Sequence, residues 1–301
     1  KAGSAPGGYF LGEDFRKAYA PGVTLTGAGQ QVGLVQFDNY YPADVTAYAK
    51  LAGGGRTNIP IQTVLIGGYG GTIGDNNIEV ALDIQMAMAM APGLGKIIVF
   101  TAGPYGQPND VLNRMAASNS VKNLSCSWGW SGGPDTTTEN IFKQLAAQGQ
   151  SFFNASGDNE AFTTGAASVN GVDNPSTWIT PSSSPSITQV GGTTLTTGSG
   201  GARVSETVWS TSDGLGSSGG ISSYFSIPWW QTNVSMAGNQ GSATKRNIPD
   251  VALTGDDIYC IYDNGTKSAV VGTSAAAPLW AGFMALVNQR AAQLGKSSVG
   301  F

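Results

Sequence analysis

Residues 31–37 read Gln31-Val32-Gly33-Leu34-Val35-Gln36-Phe37 and run directly into Asp38. A short apolar run of this kind suits a strand covered on both faces, and the next segment, residues 42–51, changes to helical spacing. The alternation then repeats. Residues 61–66 read as strand and end in the turn cluster Gly67-Gly68-Tyr69-Gly70-Gly71. A helix follows from about residue 76 to 90, stopped by Pro92-Gly93. Strands are expected at 96–101, 121–127 and 151–155, with helices at 108–118 and 136–147 between them. This rhythm predicts an α/β fold: a mostly parallel central sheet flanked by helices on both faces.

Beyond residue 157 the pattern changes to short strands (187–190, 193–197, 202–209) among Pro, Ser, Thr and Gly. A long irregular span inside a compact domain is usually functional. Asp263-Asn264-Gly265-Thr266 reads as a hairpin turn, and a last apolar helix begins near Ser274. With no repeat and no boundary in sight, residues 1–301 read as one domain.

Composition narrows the function. Only 11% of residues are charged, 41% are hydrophobic, and Gly contributes 44 residues, which describes a packed, loop-rich protein rather than a disordered one. The net charge of −4 and scattered basic residues leave no footprint for nucleic acid or for an anionic membrane. Low charge limits self-repulsion in acid, so both secretion and adaptation to low pH fit. Cys126 and Cys260 could pair or remain as two buried thiols. The polar, Gly-rich opening without an initiator Met reads as a processed, secreted form.

The chemistry centres on Gly272-Thr273-Ser274-Ala275-Ala276-Ala277-Pro278, in a chain without histidine. Small residues let a substrate backbone approach Ser274, and a helix N-terminus favours the charge that develops in acyl transfer. Pro278 is expected within the first helical turn, where its missing N–H matters little. A Ser or Thr cap on a buried helix is the simpler explanation of the same residues. Without histidine the usual route to an activated serine is closed, so any general base must be a carboxylate.

Glu79 and Asp83 stand one helical turn apart on an otherwise apolar helix. Crowding and burial should raise at least one of their pKa values, although an unfavourable surface pair would show the same spacing. Asp158, in Ser156-Gly157-Asp158, follows a strand and so lies at the carboxyl edge of the sheet, where open α/β folds place their sites. Protonated, it could donate to an oxyanion; an ordinary turn accounts for it equally. Asp38 also sits at a strand end, but without histidine it cannot complete a Ser-His-Asp set and reads as structural or near the site. Of four glycosylation sequons, at Asn123, Asn154, Asn233 and Asn264, the first two lie in strands that look buried.

Taken together, the Gly272–Pro278 motif with Leu279-Trp280-Ala281-Gly282, the Glu79-x-x-x-Asp83 helix and Ser156-Gly157-Asp158 resemble the sedolisins, the serine-carboxyl peptidases. Arg246 with Pro249-Asp250-Val251, Val190-Gly191-Gly192-Thr193 and Gly27-x-Gly29-Gln30-x-Val32-Gly33 extend the resemblance over nearly the whole chain. It implies a subtilisin-like three-layer fold and cleavage of peptides in acid. Ser274 would be the nucleophile, Glu79 its general base, Asp83 the partner that shares its proton, and Asp158 the oxyanion donor. Ser127, Trp128 and Gly129 resemble the edge that pairs a substrate backbone by strand addition. The resemblance further implies a peptide or protein substrate, a cleaved propeptide, a monomer and one calcium ion. That ion is held by a loop-rich segment past the last helix, so no metal ligand is identified within residues 1–301.

Two other readings stay open. A glycoside hydrolase also uses paired carboxylates, but these must straddle a sugar across a cleft, about 5–9 Å apart. A non-catalytic binding member of the same fold would not need the complete set of Ser274, Glu79, Asp83 and Asp158.

Overall fold

A computed structural model of the chain describes residues 3–130, 135–161, 183–236 and 238–300. The first elements are α1 (Glu13–Tyr19), β1 (Gln31–Gln36), α2 (Pro42–Ala52), β2 (Ile61–Leu65), α3 (Asn77–Met90), β3 (Lys96–Thr101), α4 (Pro108–Ala117), β4 (Asn123–Cys126), α5 (Thr136–Ala147) and β5 (Ser151–Ala155). Then follow β6 (Asn159–Ala161), β7 (Thr188–Thr197), β8 (Arg203–Val208), β9 (Gly216–Ser226), β10 (Lys245–Ile248), β11 (Val251–Thr254), β12 (Ile258–Tyr262), β13 (Thr266–Val270) and α6 (Thr273–Gln293).

The main sheet has the order β11-β7-β5-β4-β1-β3-β2, all parallel, with β8 added antiparallel on β7. Apart from Gln31 and Lys96, the first residues of β1 and β3, its central strands β1, β3 and β4 are buried throughout, as the apolar runs require. One face packs on α3 and α6 through Val32, Leu34, Ile84, Met88, Leu279 and Leu286. The other packs on α4 and α5 through Val35, Phe100, Leu112, Met115, Phe142 and Leu145. The result is three layers, α/β/α, as the sequence predicts.

The two helices that carry the candidate residues touch. Gly282 of α6 lies so close to α3 that a Cβ there would stand 2.9 Å from the Ala87 carbonyl oxygen and 2.9 Å from Met90 Cβ. Only glycine allows that approach. Gln85 of α3 then ties the β12–β13 hairpin down: its amide donates to the Ile261 carbonyl at 2.5 Å and accepts from the Ile261 N–H at 3.1 Å.

Several sequence expectations need adjustment. The separate strands at 187–190 and 193–197 are one strand, β7, passing through Gly191 and Gly192. Added Cβ atoms there would meet Pro249 and Ser217 at 2.7–2.9 Å and Trp209 at 3.2 Å, so these glycines mark close packing rather than a break. Because α6 starts at Thr273, Pro278 falls in its second turn, not its first. Cys126 and Cys260 are both free and buried. Asn123 and Asn154 are buried in the sheet, whereas Asn233 and Asn264 are exposed. Among the described residues, no helix is long and apolar enough to cross a membrane.

Candidate active site

The C-terminal ends of β1, β4 and β5 converge on the N-terminal turns of α3 and α6. Parallel topology produces this, because every strand points its carboxyl end to the same edge. Glu79 stands in the first turn of α3, and Ser274 in the first turn of α6. Both helix ends present amide dipoles that favour negative charge.

Asp83 is fully buried and accepts two hydrogen bonds. Gln36 Nε2, at the end of β1, donates to its Oδ2 at 2.6 Å, and the Ser127 hydroxyl, just past β4, lies 2.7 Å from its Oδ1. Burial raises the Asp83 carboxyl to about 8, with the Ser127 and Gln36 hydrogen bonds pulling the other way. Glu79 is half-buried as a residue, yet its Oε1 is shut off from solvent and has no hydrogen-bond partner. Its carboxyl is pushed well above the ordinary range, first by burial and then by the neighbouring Asp83 charge. The Ser274 and Ser127 hydroxyls lower it in part, and the charge of Asp158 raises it further. The nucleophile candidate, both helix carboxylates and Asp158 therefore belong to one interacting cluster.

Asp158 is fixed by the residue before Ser274. Thr273 donates to Asp158 Oδ1 from its backbone N–H and from its hydroxyl, each at 2.8 Å, and Gly157 N–H donates to the same hydroxyl at 3.1 Å. Burial raises the Asp158 pKa, with the two Thr273 bonds lowering it in part. Gly272, at φ 146°, lets the chain turn into α6; a Cβ there would sit 3.0 Å from Asp158 Oδ2.

The residues named for substrate pairing divide. Gly129 is exposed at the edge, but the Ser127 hydroxyl points inward to Asp83. The Trp128 indole also turns inward, donating to Gln36 Oε1 at 2.9 Å and meeting Phe37 edge-on with centroids 5.6 Å apart. Beside them opens a cavity of about 520 Å³, lined by Phe37, Asn76, Asn109, Trp128, Gly129 and Trp130 among others. Asp38 is not in the carboxylate cluster. It is buried and accepts from the N–H groups of Asn39 and Gly74 at 2.7 Å each and of Asn76 at 2.9 Å.

Sequence reasoning overlooked Gln36 and Thr273. The one available signal for Gln36 was a polar residue closing an otherwise apolar strand; for Thr273 it was a second hydroxyl beside Ser274. Among the described residues no group of three or more acidic, cysteine or histidine side chains comes together to hold a metal ion.

A mostly parallel sheet between helix layers, with a helix-borne serine at its carboxyl edge, defines the subtilisin-like fold. A cold-adapted subtilisin-like serine proteinase shares it at a TM-score of 0.52 and 15% identity, over 93% of this chain and 85% of that one. The chain belongs to the sedolisin family. It is 32% identical to kumamolisin of Bacillus sp. (strain MN-32), over 94% of this chain and 52% of that protein. It superposes on Pseudomonas sedolisin, a serine-carboxyl proteinase solved with pseudo-iodotyrostatin, at a TM-score of 0.80 with 27% identity, covering 97% and 82% of the two chains. No family model matches the chain. It spans about half the length of the curated relatives kumamolisin and sedolisin.

Proposed function

We propose that this chain is the catalytic domain of a secreted serine-carboxyl peptidase that cleaves peptide bonds in acid. The observation that carries the reading is the cluster of Ser274, Glu79, Asp83 and Asp158 in a chain without histidine. Ser274 Oγ attacks the scissile carbonyl as its proton passes to Glu79, and the new C–O bond places negative charge on the carbonyl oxygen. That oxyanion is met by the Ser274 backbone N–H and by a proton on Asp158. Glu79 then delivers its proton to the leaving amine as the C–N bond breaks. Water repeats the sequence on the acyl-enzyme.

The raised pKa values support an acid optimum. Asp158 must keep its proton to meet the oxyanion while Glu79 gives one up, so activity falls as Asp158 ionises. A substrate strand paired along residues 127–129 would extend towards the aromatic cavity beside Trp130. A cleaved propeptide, a monomeric state and one calcium ion held outside the residues described here complete the proposal.

The test is digestion of a peptide mixture by the purified chain from pH 3 to 7, with Ser274→Ala in parallel. Cleavage confined to acid and abolished by the substitution supports the reading. Cleavage that survives Ser274→Ala removes the serine mechanism, and absence of cleavage at every pH removes the peptidase.

A further inference from the structure

Trp128, Gln36 and Asp83 form a chain whose hydrogen positions are fixed by chemistry. An indole N–H can only donate, so the Gln36 oxygen must face Trp128, across 2.9 Å. The Gln36 NH2 group therefore faces Asp83 Oδ2, at 2.6 Å. An oxygen receiving that donor is the wrong place for a proton. Any proton carried by Asp83 sits on Oδ1, which lies 2.7 Å from the Ser127 hydroxyl.

The Ser127 hydroxyl has two further neighbours, the Glu79 carboxyl, whose pKa it lowers in part, and the backbone of Ser274. It lies 3.3 Å from the backbone carbonyl oxygen of Ser274. In a regular helix that carbonyl would accept from the N–H four residues on, but position 278 is proline and has none. The motif thus leaves the nucleophile's own carbonyl without its helical donor, and the hydroxyl of Ser127 is placed to supply one.

A hydroxyl has one proton to give. It cannot donate to Asp83 and to Ser274 together. We propose that Ser127 is a positioning residue that couples the protonation of Asp83 to the first turn of the helix bearing Ser274. With Asp83 ionised, Ser127 donates to Oδ1 and the Ser274 carbonyl goes without. With a proton on Oδ1, Asp83 donates to Ser127 Oγ, and the Ser127 proton turns to the Ser274 carbonyl. No bond to carbon changes: one proton moves between the two helix carboxyls and one hydroxyl rotates. The second state leaves Glu79 ionised, as a base, at the moment when the peptide of Ser274 is held.

The surrounding groups permit this assignment. Facing the pair are Asp158 from the turn after β5, Cys126 at the end of β4 and Cys260 on β12. Burial pushes both thiols up, so they keep their protons and the exchangeable one belongs to the carboxyls.

The inference rests on the serine-carboxyl reading, and a measurement that needs no turnover separates the two. With carbonyl-13C serine in the protein, the Ser274 resonance is followed from pH 3 to 9, assigned by its loss in Ser274→Ala, while the Asp83 carboxyl is followed in the same samples. In the wild type both should move with a common midpoint. In Ser127→Ala the Asp83 signal should still titrate while the Ser274 carbonyl stays still, and Ser127→Thr should restore the coupling. Kinetically, Ser127→Ala should lower kcat about tenfold with KM within about twofold, the size of one modest hydrogen bond, and Thr should recover most of it. A wild-type Ser274 carbonyl that ignores the titration, or one that still follows it in Ser127→Ala, overturns the proposal. Coupled titration in a protein that cleaves nothing would keep the coupling and discard the peptidase; uncoupled titration in an active enzyme does the reverse.

Discussion

Thr273 holds Asp158 by a single oxygen: its N–H and its hydroxyl both reach Oδ1 at 2.8 Å. With Oδ1 occupied by two donors, a proton on Asp158 belongs on Oδ2. An asparagine at 158 reproduces that arrangement, its oxygen accepting from Thr273 and its NH2 donating where the protonated acid would. Asp158→Asn should therefore retain most of kcat in acid and lose less of it as pH rises. Asp158→Ala, which removes the donor, should cost on the order of a hundredfold in kcat. Initial rates for both variants across pH 3–7 check this; equal losses would remove Asp158 from oxyanion stabilisation.

A second expectation concerns stability. Asp83 is raised to about 8, and Glu79 and Asp158 are raised too, all led by burial. In the unfolded chain these carboxyls ionise near pH 4, so above that pH the folded state binds more protons than the unfolded one. Their contribution to stability is full below about pH 4 and is lost as pH rises through their raised folded values, which for Asp83 is about 8. Unfolding free energies at fixed temperature should fall steadily from pH 4 to 8, and Asp83→Asn should flatten that slope. A profile that rises through the same window would contradict the pKa directions.

The sheet was readable from the chain because parallel strands buried on both faces are unbroken apolar runs, as in Val32–Val35 and Ile97–Phe100. β9 was not, since Gly216–Ser226 is mostly Gly and Ser and its burial comes from partners distant in sequence. The site divides the same way. Glu79 and Asp83 declare themselves by helical spacing, and Ser274 by its small neighbours. Gln36 and the inward turn of Ser127 depend on contacts 47 and 44 positions away, which no local pattern encodes. Pro278 shows the limit most sharply: the residue was evident, but its consequence for the Ser274 carbonyl required knowing that α6 begins at Thr273.

The crossing of α3 and α6 sets the distance between base and nucleophile, and it depends on Gly282. A methyl there would press on the Ala87 carbonyl and on Met90, both at 2.9 Å. Overpacking of this kind costs about 1–3 kcal/mol. Gly282→Ala should therefore lower thermal stability by that amount, and it should also reduce kcat, because parting the helices separates Glu79 from Ser274. Thermal denaturation with kinetics at one acid pH tests both; lost stability with unchanged kcat would mean that the strain relaxes away from the site.

Asp38 carries the last prediction. Its carboxylate gathers the N–H groups of Gly74 and Asn76 immediately before α3, while its own carbonyl accepts from Thr101 Oγ1 at 2.8 Å. Asn39 Nδ2 reaches Gly71 on the same loop at 2.6 Å. The end of β1 thus pins the approach to the helix on which Glu79 occupies the first turn. Asp38→Ala leaves these amides without their acceptor, a loss of about 1–3 kcal/mol by the usual penalty for an abandoned partner. Asp38→Asn keeps the shape but presents an NH2 to at least one of them, so it should also destabilise, to a smaller degree. Because the loosened segment leads into Glu79, kcat should fall more than KM changes in both variants, in the order Ala then Asn. Urea unfolding alongside steady-state kinetics decides the matter: variants that lose stability yet keep the wild-type kcat would make Asp38 a fold residue with no hold on the base.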